Sequence, residues 1–141
     1  MTNKIQKALI GGIIATAVMS LVMFIAPMMG MPKMSPPAML SMMMGFPIAV
    51  GWLMHFMIGI IFAMAYAFFF INVVKKINSN ILKGVIFGIA VFIFAQIMMA
   101  IMGMMFPLPP MEGSMMLIML GSILGHLVYG IVVAMLVKEQ A

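Results

Sequence analysis

Apolar residues fill this chain in long runs, and lysine or glutamate marks where each run ends. Lys7 and Lys33 enclose residues 8–32, and Lys33 and Lys75 enclose 34–74. Lys83 and Glu112 enclose 84–111, and Glu112 and Lys138 enclose 113–137. A helix that crosses a bilayer needs about 20 apolar residues. The first, third and fourth runs therefore predict one span each. The second is longer, but two spans would leave it no room for a turn. Pro36, Pro37 and Pro47 interrupt its first third, and proline removes an amide donor and clashes inside a helix. One span from about Pro47 to Asn72 is expected, preceded by a short Met-rich segment at the membrane surface.

The first run follows Lys4 and Lys7, as a signal peptide would. It is longer than the apolar region of such a peptide, and "FIAPMMGMP" is a poor cleavage site. A retained first span is expected. The whole chain, 1–141, then reads as a single integral membrane domain. Lys4, Lys7, Lys75, Lys76, Lys83 and Lys138 fall on one side of the four spans, and only Lys33 on the other. The positive-inside rule then puts both termini and the 72–81 loop in the cytoplasm, with Trp52 near the outer interface.

Composition strengthens the membrane reading. The chain is 67% hydrophobic and 6% charged, against roughly 25% charged residues in soluble domains. The net charge of +5 comes from lysines scattered between apolar runs, not from a patch suited to nucleic acid, so no nucleic-acid partner is expected. The absence of cysteine excludes disulfides, iron–sulfur clusters and thiolate metal sites.

The two halves resemble each other. At an offset of 71, Leu53, His55, Gly59, Ile60, Ala63 and Met64 match Leu124, His126, Gly130, Ile131, Ala134 and Met135. At an offset of 76, Lys7, Ile10, Gly12, Ile13 and Met23 match Lys83, Ile86, Gly88, Ile89 and Met99. Two tandem two-helix repeats, 5–74 and 81–137, are expected. Both would insert the same way, so their pseudo-twofold axis would run along the membrane normal. The expected fold is all-α, a four-transmembrane-helix bundle with His55 and His126 at similar depth.

Few polar groups lie inside the spans: Ser20, His55, Gln96 and His126 near the middle, with Tyr66 and Tyr129 toward the cytoplasm. Polar groups in a membrane are costly and turn toward the protein interior, so the first four are expected to converge. The imidazoles could serve as interhelical glue, bonded to Gln96 or Ser20. They could also form a site. Neutral imidazole is the commonest side-chain metal ligand, and the small residues Gly59 and Gly130 flank the pair. Haem b held by His55 and His126, helped by Gln96, is one expectation. Cu(I) is the other, because most of the 24 methionines lie toward the outer side and thioether sulfur is a soft ligand suited to it. Met23 and Met99 are the methionines placed nearest such an ion.

No acidic residue lies within a span, and Glu112 falls in an outer loop. Seryl hydrolysis needs an oriented Ser–His pair, usually with a carboxylate, and phosphate loops and paired carboxylates are also missing. A non-enzymatic binding or accessory protein is therefore expected. The alternatives are an assembly subunit of a larger membrane complex, with purely structural histidines, and a small ion or solute transporter working as an oligomer. Glycine-rich faces also suit self-association.

The stretches "KGVIFG" (83–88), "GWLMHFMIG" (51–59), "GHLVYG" (125–130) and "PMMGMP" (27–32) resemble an uncharacterised family of small bacterial four-helix inner-membrane proteins. The resemblance covers nearly the whole chain. It implies four spans, an inner-membrane location and paired histidines at 55 and 126, and it supplies no activity.

Overall fold

The computed structural model describes residues 2–138, and among them every regular element is helical. Helix α1 covers Thr2–Ile25 and tightens into a 3₁₀ turn, Ala26–Met29. Gly30 closes that turn at φ 87°, a conformation glycine adopts without a Cβ clash. Helix α2, Pro36–Met44, opens with Ser35 accepting the Ala38 amide and with proline in its first turn, where the missing N–H costs nothing. Helix α3 covers Ile48–Ala65 and continues through a π-helical turn, Tyr66–Phe70, into a last turn, Ile71–Val73. Helices α4 (Asn80–Met105) and α5 (Met115–Leu136) follow.

Four stretches are long and apolar enough to cross a membrane: Asn3–Met29, Ile48–Val73, Asn80–Met105 and Met115–Leu136. These are the spans that the charge spacing predicts, and the chain is a multi-pass membrane protein. Large apolar side chains such as Phe24, Ile61, Ile93 and Leu120 stand exposed along them, which suits lipid as the surrounding solvent. The Met-rich segment before the second span is α2. It folds back on α3, with the Pro37 carbonyl and Ser41 Cβ occupying the space beside Gly51. The π turn was not foreseen. It directs Tyr66 and Phe70 onto Phe87 of α4, with ring centroids 4.8 and 5.0 Å apart.

Glycine sets the close contacts, because small residues let membrane helices approach backbone to backbone. A Cβ on Gly12 of α1 would stand 2.8 Å from Ile60 Cα of α3, and Thr16 fills the space beside Gly59. Between α4 and α5, Gly84 meets the Ile131 backbone, and a Cβ on Gly88 would lie 2.9 Å from Leu127 Cα. Along both seams the residue numbers of the two helices run in opposite senses, so each pair is antiparallel. Helix α1 also packs along α5, with Gly11 against Val137 and Leu136 and with Met19 and Met23 against Gly125. This contact is antiparallel too, so α3 and α5 run in the same direction.

A pseudo-twofold axis would make the α1–α5 and α3–α4 interfaces alike, and they are unlike. Helices α3 and α4 touch mainly through aromatic rings, as in the Phe62–Phe94 pair at 5.4 Å. Beside these rings lies an open apolar groove lined by Ile61, Phe62, Phe69, Phe70 and Phe94. The sequence explains the difference. At the offsets of 76 and 71, Gly11 corresponds to Phe87, Gly121 to Val50 and Gly125 to Met54. Bulk replaces glycine, and the helices stand apart.

Candidate functional site

Three helices supply the polar interior, and α1 organises it. Small residues recur every fourth position at Gly12, Thr16 and Ser20, a spacing that puts them on one face, and this face meets α3. The Thr16 hydroxyl donates to the Gly12 carbonyl at 2.7 Å, and the Ser20 hydroxyl donates to the Thr16 carbonyl at 2.8 Å. Opposite Ser20 stands His55, only 8% exposed, with Nε2 3.2 Å from the Ser20 oxygen. A hydroxyl carries one proton, and Ser20 gives its proton to Thr16. The imidazole therefore donates from Nε2–H, and its Nδ1 keeps the lone pair. Trp52 packs its edge against the same ring at 6.3 Å.

His126 is held differently. Its Nδ1 lies 2.7 Å from the Ser122 carbonyl of its own helix. A carbonyl only accepts, so Nδ1 bears the proton and Nε2 is the free lone pair. Metal-binding histidines are oriented in this way, with one ring N–H given to a backbone carbonyl. Phe92 of α4 closes the ring's side at 5.7 Å. Each imidazole thus has one nitrogen engaged and one lone pair without a protein partner among the described residues.

The Tyr129 hydroxyl crosses from α5 to donate to the Gly59 carbonyl of α3. Gly59 lies one turn beyond His55, and Tyr129 lies three residues beyond His126. Because α3 and α5 run the same way, this bond fixes the two imidazoles at similar depth.

The remaining expected site residues separate into those drawn in and those left out. Met23 is buried, with its sulfur against the face of Gly125 beside His126. Gln96 and Met99 are half-buried on α4, and Gln96 makes no hydrogen bond among the described residues. Gly59 and Gly130 do not border a vacancy. Thr16 fills the space beside Gly59, and the Gly84 and Gly88 backbones press on Gly130. Among the described residues no three His, Cys, Asp or Glu side chains group to hold a metal.

Sequence reasoning missed Thr16, the Ser122 carbonyl and the Tyr129–Gly59 bridge. The fourfold spacing of small residues on α1 carried a signal for Thr16. Nothing comparable marked the bridge.

A search of the curated proteins and one of the solved structures found no match. The model of a family described as "Family of unknown function (DUF6789)" matches residues 2–140, and the chain therefore belongs to that family.

Proposed function

We propose that this protein is a non-catalytic binding module of the inner membrane, with both termini cytoplasmic, and that it holds Cu(I) between His55 and His126. One observation carries the reading. Two imidazoles at similar depth each keep an unengaged nitrogen, and His126 is oriented through Nδ1 as a ligand would be. A small ion suits the place better than haem. Tyr129 bridges α5 directly to α3 one turn away, and the glycine spaces at Gly59 and Gly130 are filled by neighbouring helices, which leaves a macrocycle no slot beside the pair. Two nitrogens also suit Cu(I), which accepts low coordination and soft neighbours. The orientation is supported at one end, where Lys4 at the start of α1 sits over the Phe68 ring at the close of α3, 5.1 Å from its centroid. That end also carries Lys75, Lys76 and Lys83.

The test is metal analysis and an absorbance spectrum of the gently purified protein loaded with Cu(I), wild type beside His55→Ala and His126→Ala. The expected result is copper retained by the wild type, of which either substitution releases one equivalent, with no haem absorption band. A haem band would replace copper with a macrocycle at the same imidazoles. A wild type that stays colourless and metal-free would sink the binding reading. It would leave the accessory-subunit reading, which the His55–Ser20 interhelical bond favours.

A further inference from the structure

Two of the three glycines of α5 differ from the third in what they face. Gly130 meets the backbone of α4, where a Cβ would force the helices apart. At Gly121 and Gly125 the nearest neighbours are instead the side chains of methionines. At Gly125 a Cβ would lie 3.0 Å from the Met23 sulfur and 3.3 Å from the Met19 methyl. At Gly121 it would lie 2.7 Å from the Met34 methyl, 3.5 Å from the Met34 sulfur and 3.2 Å from the Met31 methyl. The two glycines are one turn apart on one face, so the two points are separated by about 6 Å. Four thioethers from two places in the chain therefore converge within a single turn of α5. Met19 and Met23 come from the inner half of that arrangement, on α1, and are buried at 6 and 5% exposure. Met31 and Met34 come from the segment between α1 and α2 and are half-buried.

We propose that Met19, Met23, Met31 and Met34 form an all-thioether site for a soft monovalent cation, Cu(I) or its analogue Ag(I), distinct from the imidazole pair. The chemistry selects the ion. Neutral thioethers bind hard cations poorly and Cu(I) well, and none of the four side chains offers the oxygen that Mg²⁺ or Ca²⁺ takes. Methionine has three rotatable bonds, so the sulfurs can turn onto a shared centre without moving a helix. The glycines keep the space in which they turn. The place also makes sense of access. Met31 and Met34 stand toward the end where Met28, Met29, Met115 and Met116 are exposed, while Met23 lies against the residue next to His126. An ion entering from that end meets thioethers before it meets nitrogen.

The test is Cu(I) and Ag(I) titration of the full chain in lipid nanodiscs, in competition with a chromophoric Cu(I) chelator. Copper-edge X-ray absorption on the loaded wild type identifies the donor atoms. Met19→Leu/Met23→Leu and Met31→Leu/Met34→Leu keep size and apolarity while removing sulfur. Each pair is expected to weaken one binding event about tenfold or more, and Met104→Leu/Met105→Leu, on exposed residues, to leave it unchanged. A sulfur-rich shell that survives His55→Leu/His126→Leu is the expected signature. A shell of nitrogen alone in the wild type, or unaltered affinity in both leucine pairs, overturns the thioether site while leaving the imidazole site standing. A wild-type shell of sulfur alone, with no nitrogen scatterers, does the reverse.

Discussion

Replacing Gly130 with alanine asks whether the α4–α5 seam is as close as its backbone geometry requires. The new methyl would lie 2.7 Å from Gly88 Cα, whereas carbons in favourable contact sit at about 3.5–4.0 Å. The two helices must therefore part by about 1 Å, and the parting also loosens Gly84 against Ile131 and Gly88 against Leu127. Overpacking of this kind costs about 1–3 kcal/mol. Alanine in place of a helical glycine returns at most about 1 kcal/mol. The steric term wins, and Gly130→Ala should lose about 1–2 kcal/mol. Gly125→Ala is the internal control on the same helix. Its methyl would meet first the Met23 sulfur and the Met19 methyl, at 3.0 and 3.3 Å, and these flexible ends can swing aside. There the propensity gain offsets the crowding, and the net change should stay within about 0.5 kcal/mol. Stepwise addition of SDS to the protein in mixed micelles, followed by helical circular dichroism and by the single tryptophan, Trp52, would give both values. Equal losses at the two positions, or a neutral Gly130→Ala, would refute the distinction between glycines that admit backbone and glycines that admit side chains.

Further outcomes follow from single contacts. Tyr129→Phe removes the donor to the Gly59 carbonyl and should lower stability by about 0.6 kcal/mol, and by no more than about 1.7, the range measured for interhelical bonds in membranes; the same SDS titration reads it. Ser20→Ala and His55→Leu should prove non-additive in a double-mutant cycle, with a coupling of about 0.5–1 kcal/mol. Ser20→Ala combined with His126→Leu should show none, because Ser20 bonds only to Thr16 and His55. With no native cysteine as background, Met111→Cys should react with an impermeant maleimide added outside intact cells, and Asn78→Cys only after permeabilisation; the reverse pattern would invert the proposed orientation.

The spans were legible because charge is rare enough to act as punctuation. Lys33, Lys75, Lys83 and Glu112 bracket helices whose limits fall within a few residues of those expected. Which face of each helix turns inward was much less legible. In a soluble helix the polar stripe answers that question, but here nearly every position is apolar on all sides. The information lies in residue size instead. Gly12, Thr16 and Ser20 mark one face of α1, and Gly11, Met19 and Met23 mark another, and these two faces contact α3 and α5 respectively. His55 found Ser20 because both lie on a glycine-marked seam. Gln96 occupies the position equivalent to Ser20 in the second half, yet it has no bond to His126, whose proton goes to the Ser122 carbonyl. A backbone carbonyl is present at every residue, so its choice as partner leaves no trace in the sequence. The π turn is equally silent, since it depends on how Tyr66 and Phe70 fit against Phe87.

The unequal interfaces bear on where a ligand would sit. Were the two halves alike in packing as well as in motif, His55 and His126 would have equivalent surroundings and neither side would be preferred. Glycine at 11 and 125 lets α1 onto α5, and glycine at 121 admits Met31 and Met34 of the segment after α1, whereas the equivalent positions of the other pair carry the bulkier Phe87, Val50 and Met54. The close side gathers four thioethers next to His126, and the far side gathers aromatic rings around a groove open to lipid. Aromatic rings offer no lone pair to a cation, and sulfur does. The ion of the thioether site should therefore lie off the centre, toward α1 and α5. Substituting Gly125 with a bulky residue such as leucine should displace Met19 and Met23 and reduce Cu(I) retention severalfold, while the same change at the equivalent Met54 should leave it intact. Equal effects at the two positions would overturn the thioether site and leave the imidazole pair as the proposed ligands.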